Sequence, residues 1–344
     1  MTNIDSTVKR CRVSVIIKAL NEEKRIVSAI QTALAAVDEV GGEVILADSC
    51  SSDRTIELAS KFPIKIFQLA NPQERCCGVG PQLGYQHSIG DFVYILDGDM
   101  EMLPGFLPAA LAFMDENPQV AGVGGRVVEM NTTSLEYLSR VERGLAHMQA
   151  GEVDRLDMGG LYRRSAVQET KYFSNRNLHS YEEFDLAVRL RAKGWALWRV
   201  NMDAVKHHGH DAPPYDLLIR RWRSQYICGL GELLRAAWGQ PHLRIALQGV
   251  RELRIYVSVL VWWFALLLIF GVAIKEITAL LLLGLLALLP FSVMAWRKRS
   301  VSKAIFSVVS WCFNAAGLVR GLLSVPKDTT IRIASVKILS PNNH

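Results

Sequence analysis

The sequence predicts an α/β protein: a Rossmann-like, mainly parallel sheet clad in helices, followed by interfacial and transmembrane helices. Three observations carry this. Short β-branched runs alternate with segments of helical period through the first 210 residues or so. Acidic residues stand where those apolar runs end. Beyond Arg254, two stretches of 20 residues carry no charge.

The first strand is Val13–Ile17. Asn21 can cap a helix with Glu22 and Glu23 in its first turn, and Ile26, Ile30, Ala33, Leu34 and Val37 continue it at helical spacing. Gly41-Gly42 ends it. A second strand, Glu43–Ala47, runs into Asp48, and after a polar turn Asp53 caps a helix to about Lys61. Ile64–Leu69 is a third strand, Gly78–Ile89 contains a helix, and Phe92–Leu96 is a buried strand that ends in Asp97-Gly98-Asp99.

That last motif is the centre of the chain. In open α/β sheets ligands bind outside the carboxyl ends of the strands. Two carboxylates one residue apart repel each other unless a cation joins them. A hard divalent ion, Mg²⁺ or Mn²⁺, with a diphosphate supplying further oxygens, suits the pair. Gly98 permits close approach. The alternative is a solvated turn. Asp48 reads either as an acceptor for a base or ribose or as a turn-capping residue.

Met158–Arg164 is a Gly-rich loop leading into two arginines. Tyr181-Glu182-Glu183-Phe184-Asp185 opens a helix that runs to Gly194. Its acids suit the helix dipole, and one of them can equally serve as a general base. Trp195–Val200 reads as a strand, followed by a loop His207-His208-Gly209-His210 whose His207 can offer a nitrogen beside the Asp pair.

Residues 211–254 form an amphipathic region. Tyr215–Trp238 mixes Trp, Leu and Arg at helical period, which fits a helix in a membrane interface. Spans follow at 255–274 and 277–296, each about 30 Å long, the thickness of bilayer hydrocarbon. Arginines and lysines on both flanks place those flanks in the cytoplasm, with a tight outer turn at Lys275-Glu276. A third stretch, 304–325, either packs its small-residue face on this hairpin through Gly317 and Gly321 or lies in the interface. The tail 326–344 is expected to be exposed.

The net charge of +6 suits an anionic membrane or a phosphate-rich substrate. No zinc spacing or aromatic-basic module supports nucleic acid, and no Gly-x-Gly-x-x-Gly follows the first strand. Six cysteines without a Cys-x-x-Cys fit free thiols in a reducing compartment.

Five segments, in order from about Arg12 to Trp222, resemble the family 2 glycosyltransferases, inverting enzymes of the GT-A fold. They are Val13–Glu23, Asp48–Thr55, Asp97-Gly98-Asp99, Glu182–Leu186 and Arg221-Trp222. The membrane-anchored succinoglycan-type transferases are the nearest in pattern. The resemblance implies a cytoplasmic catalytic domain over 1–210 on a multi-pass anchor in the inner (cytoplasmic) membrane. It implies a nucleotide-sugar donor, a UDP-sugar first among them, Mn²⁺ or Mg²⁺ as cofactor, and a lipid-linked glycan acceptor. Asp48 would recognise the nucleobase with Asp53 in support, and Ala19, Asn21 and Glu22 would border the nucleotide. Asp97 would sit near ribose and metal, Asp99 would bind the metal, and His207 would join them. Glu183 would be the base, with Glu182 and Asp185 as rivals. Arg163, Arg221 and Trp222 would line the acceptor and diphosphate side. The sequence departs from the family pattern at Lys18, where proline is usual, at Ser49-Cys50 and at Leu218. A polyprenyl-phosphate glycosyltransferase is the rival of the same class; a sugar-nucleotide pyrophosphorylase and a non-catalytic membrane scaffold are the rivals of other classes.

Overall fold

The computed structural model describes residues 11–130, 148–157, 159–209, 213–273 and 277–339. The chain divides into two units, residues 1–211 together with 326–344, and residues 212–325.

The first unit is built on one mixed sheet. Its strands are β1 (Val13–Ala19), β2 (Gly42–Asp48), β3 (Lys65–Leu69), β4 (Phe92–Asp97), β5 (Met100–Met102), β6 (Val120–Glu129), β7 (Gly151–Glu152), β8 (Gly160–Arg163), β9 (Ala196–His207) and β10 (Ser335–Ile338). The order is β10-β3-β2-β1-β4-β8-β6-β9-β5, with β7 on β9. The half from β3 to β4 is parallel, as expected, so the carboxyl ends of β1, β2 and β4 share one edge. Beyond β4 the sheet turns antiparallel through β8, and β6 and β9 then pair parallel. Val15, Ile17, Leu46, Tyr94 and Leu96 face one packed layer, and Ile16, Ile45, Val93 and Ile95 face the other. Burial on both faces explains the continuous apolar runs.

Several expectations are corrected. Helix α1 spans Ile26–Val40 and starts after Arg25, not after Asn21. Asn21 has φ 60° and binds the next loop instead: its Oδ1 accepts from Ser52 N at 2.8 Å, and its own N donates to Ser51 Oγ. Helix α2 is a short Thr55–Ala59, and α3 is Val79–Tyr85. Helices α4 (Phe106–Glu116), α5 (Arg164–Gln168) and α6 (Glu182–Arg191) complete the unit. Strand β9 runs well beyond Val200, because Arg126 satisfies the polar Asn201 and Asp203 that disguise it. The tail is not free: β10 pairs antiparallel with β3, and Gln86 clasps Ile333 through both its amide groups.

In the second unit the expected single helix over Tyr215–Trp238 is broken. Helix α7 (Pro214–Arg223) stops where Gln225 takes φ 61°, a one-turn 3₁₀ segment covers Tyr226–Cys228, and α8 (Gly229–Ala237) follows. After α9 (Leu243–Gly249) come α10 (Leu253–Ala273), α11 (Ile277–Lys298) and α12 (Val301–Leu323). These last three are long and apolar enough to cross a membrane. The Lys275-Glu276 turn lies outside the described residues.

Candidate active site

The carboxyl edge of the parallel half gathers the acids. Lys18 is the register partner of Asp97 across β1 and β4, and Ala19 that of Asp48 across β1 and β2. Two strand spacings separate Asp48 from Asp97, roughly 10 Å of backbone. The Lys18 ammonium lies 3.0 Å from Asp97 Oδ1 and 3.3 Å from Glu182 Oε1. Burial works against the Lys18 charge, but Asp97, Glu182 and Glu183 together raise its pKa well above the ordinary value. Burial likewise pushes the Asp97 carboxyl up, against the pull of Lys18 and with help from Asp99.

Glu183 stands beside this pair. The Gly159 amide donates to its Oε1 at 2.9 Å. Gly159 has φ +98°, and a Cβ there would lie 2.5 Å from the Ile95 carbonyl oxygen, so only glycine delivers that amide. Burial, reinforced by Glu182, Asp97 and Asp157 and opposed by Lys18, lifts the Glu183 pKa to about 8. A carboxylate whose affinity for protons sits near neutrality is suited to accept one from a hydroxyl. Asp185, a rival for this role, is engaged elsewhere. It is fully buried, and its Oδ2 accepts from Arg189 Nε at 2.9 Å. Glu182 is held by Lys18.

Gly98 serves the close approach expected of it: a Cβ would come within 2.8 Å of Glu22 Cγ. Asp99 follows, mostly buried, with Oδ2 3.4 Å from His207 Nε2. His207 is the last residue of β9 and the partner of Met100, rather than a loop residue. Its Nδ1 lies 2.8 Å from Glu129 Oε2. Burial lowers the His207 pKa, but hydrogen bonds to Asp99 and Glu129 outweigh it and raise it to about 9. Both ring nitrogens of His207 face carboxylates, and Nε2 stands beside Asp99, where the sequence expects a nitrogen next to the Asp pair. Among the described residues no three His, Cys, Asp or Glu side chains form a ready metal cluster. The pair Asp97 and Asp99 still fits a hard cation. Both are oxygen donors, and the buried Asp97 Oδ1 makes no hydrogen bond, only the ion pair.

The loop after β2 is tightly self-bonded. Asp48 accepts from Ser51 N, Ser51 Oγ and Gln68 Nε2. Its carboxylate therefore shapes the loop. Asp53 accepts from Glu23 N, Thr55 N and Thr55 Oγ; these bonds outweigh its slight burial and hold its pKa low. Glu22 N donates to Thr55 Oγ1, so the two loops are stitched together.

Arg163 is misplaced by the sequence reading. It pairs with Phe92, at the opposite end of β4 from Asp97, roughly 17 Å away at the rise of a strand. Its guanidinium donates to the carbonyls of Met114 and Val120. Met158 and His210 lie outside the described residues. Arg221 and Trp222 belong to the second unit, where Arg221 covers the Tyr226 ring and Trp222 meets Phe313 edge-on. Sequence reasoning missed Glu129 and undervalued Lys18. Glu129 ends an apolar strand, the same signal that singles out Asp48 and Asp97.

A mixed sheet whose parallel half carries Asp-Gly-Asp at its carboxyl edge is an α/β architecture of the GT-A kind. The model of the glycosyl transferase family 2 matches residues 14–171 of the chain. A "Glucomannan 4-beta-mannosyltransferase 7" of Arabidopsis thaliana is 27% identical over 160 residues, 44% of this chain and 28% of that protein. An "Undecaprenyl-phosphate 4-deoxy-4-formamido-L-arabinose transferase" of Pectobacterium carotovorum subsp. carotovorum (strain PC1) is 30% identical over 122 residues, 32% of this chain and 36% of that protein. The chain thus spans about a third or less of the length of these relatives. The solved structure of the mannosyltransferase PcManGT from Pyrobaculum calidifontis, in complex with GDP-Man and Mn²⁺, shares the fold. Its TM-score is 0.57 at 17% identity, covering 92% of this chain and 88% of that one.

Proposed function

We propose that the protein transfers a sugar, with inversion, from a nucleotide sugar to a hydroxyl of a lipid-linked acceptor at a membrane. The observation that carries this is the Glu183 carboxylate, held by the Gly159 amide and raised to about 8, at the same sheet edge as Asp97 and Asp99. Glu183 takes the proton of the attacking hydroxyl. Asp97 and Asp99 hold a divalent ion, Mn²⁺ or Mg²⁺, and the fold relative bound to GDP-Man and Mn²⁺ supports that choice. Such an ion, when bound, offsets negative charge on the departing nucleoside diphosphate. Asp48, Gln68 and Asp53 keep the loops beside the nucleotide in shape. His207, set between Asp99 and Glu129, holds Asp99 in orientation. The three long apolar helices anchor the enzyme beside a lipid substrate.

The resemblance to a protein named for undecaprenyl-phosphate supports a second reading, transfer directly to a polyprenyl phosphate. Its product, a lipid-phosphate sugar, is cleaved by mild acid, whereas a glycan-extended lipid keeps its new glycosidic bond. Titration calorimetry with UDP, GDP and other nucleoside diphosphates, with Mn²⁺ and with chelator, tests the proposal. Metal-dependent binding of one nucleotide, lost in Asp99→Ala, is expected. No binding of any nucleotide by folded protein overturns it.

A further inference from the structure

Lys18 is a cation set among the acids of this edge, on strand β1. Nζ lies 3.0 Å from Asp97 and 3.3 Å from Glu182. Helix α3 packs directly over it: a Cβ on Gly80 would stand 3.1 Å from Lys18 Cβ. The side chain is therefore confined to the carboxylate side. Buried charges of one sign are tolerated only when an opposite charge is close. Here two carboxylates, Asp97 and Glu182, share one ammonium.

We propose that Lys18 is a built-in counter-cation. It bridges Asp97 and Glu182 and keeps a divalent ion from settling on these carboxylates before the nucleotide arrives. The inference rests on the reading of this edge as a nucleotide-sugar site. An ion approaching Asp97 meets an ammonium already 3.0 Å from the same oxygen. Like charges at that range repel, and the half-buried pair is only partly screened by water. The ion then depends on Asp99 and on oxygens that only a diphosphate brings. Metal and nucleotide bind together, and the free protein binds the metal weakly. Lys18 acts here as a positioning residue, through the carboxylates and not on the sugar.

The test is electron paramagnetic resonance of Mn²⁺ alone, titrated with the full chain in detergent. Wild type and Lys18→Arg are expected to bind Mn²⁺ weakly and alike. Lys18→Met is expected to bind it at least about tenfold more tightly, because the carboxylates lose their shared cation. Lys18→Gln carries the same expectation should Lys18→Met lose its fold by circular dichroism. An affinity within twofold of wild type in the folded neutral variant overturns the proposal, as does Lys18→Arg behaving like Lys18→Met. The readout needs no nucleotide. A gain of Mn²⁺ binding in a protein that binds no nucleoside diphosphate upholds Lys18 as counter-cation and removes only the functional reading.

Discussion

Arg189 Nε donates to Asp185 Oδ2 at 2.9 Å, one helical turn away on α6, and both residues are buried. The same guanidinium donates to the carbonyls of Tyr172 and Phe173 and to Thr170 Oγ1. It therefore ties α6 to the loop in front of it. Removing one partner of a buried ion pair strands the other, at a cost of about 3–5 kcal/mol. Asp185→Asn should lower the denaturation midpoint accordingly, while the folded fraction keeps its transfer rate. Loss of turnover without loss of stability would return Asp185 to the list of bases.

Glu183→Gln should abolish transfer, because an amide cannot take a proton, yet leave Gly159 its acceptor. In the wild type, kcat/KM should rise with pH through about 8 and level off above it, once Glu183 has ionised. Stability should move the other way. Between the ordinary 4.5 and about 8 the folded chain holds a proton on Glu183 that the unfolded chain has released. Folding then weakens as pH rises through that window. Thermal melts of the two proteins from pH 5 to pH 8 should diverge, with Glu183→Gln gaining on the wild type. Parallel melts would show that Glu183 is not the group raised by its surroundings.

The parallel half of the sheet was legible because each of its strands is an unbroken apolar run ending in an acid. The second half was not. Arg126, Asn201 and Asp203 neutralise one another across β6 and β9, so the sequence there looks like loop. Strand β10 was hidden for another reason. Its four residues are partly exposed at the sheet's margin and carry no periodicity, and only their long-range pairing with β3 makes them a strand. At the site, strand-end acids were readable, but direction was not. Asp185 and Glu183 lie two apart on one helix, and only the partners Arg189 and Gly159 tell the ion pair from the proposed base. Arg163 was assigned by nearness in sequence to a glycine loop, and an antiparallel strand carried it to the opposite end of the sheet.

The small-residue face of α12 was expected either to meet the helical hairpin or to lie in the interface; Gly317 and Gly321 receive the Tyr226–Cys228 turn and α8. A Cβ on Gly321 would stand 2.1 Å from the Cys228 carbonyl oxygen and 3.0 Å from Gly231 Cα. One on Gly317 would stand 2.5 Å from the Ile227 carbonyl oxygen. These neighbours are backbone and cannot rotate away, so an added methyl must push two elements apart. Overpacking of this kind costs about 1–3 kcal/mol. Gly321→Ala should therefore lower the melting temperature of the detergent-solubilised protein and broaden its elution profile. Gly284, on α11, has nothing within 4 Å of a Cβ, and Gly284→Ala should melt as the wild type does. Because both substitutions add the same methyl to an apolar helix, their difference isolates packing from helix propensity. Equal melting of the two variants would mean that the α12 contact with α8 contributes nothing to the stability of this unit.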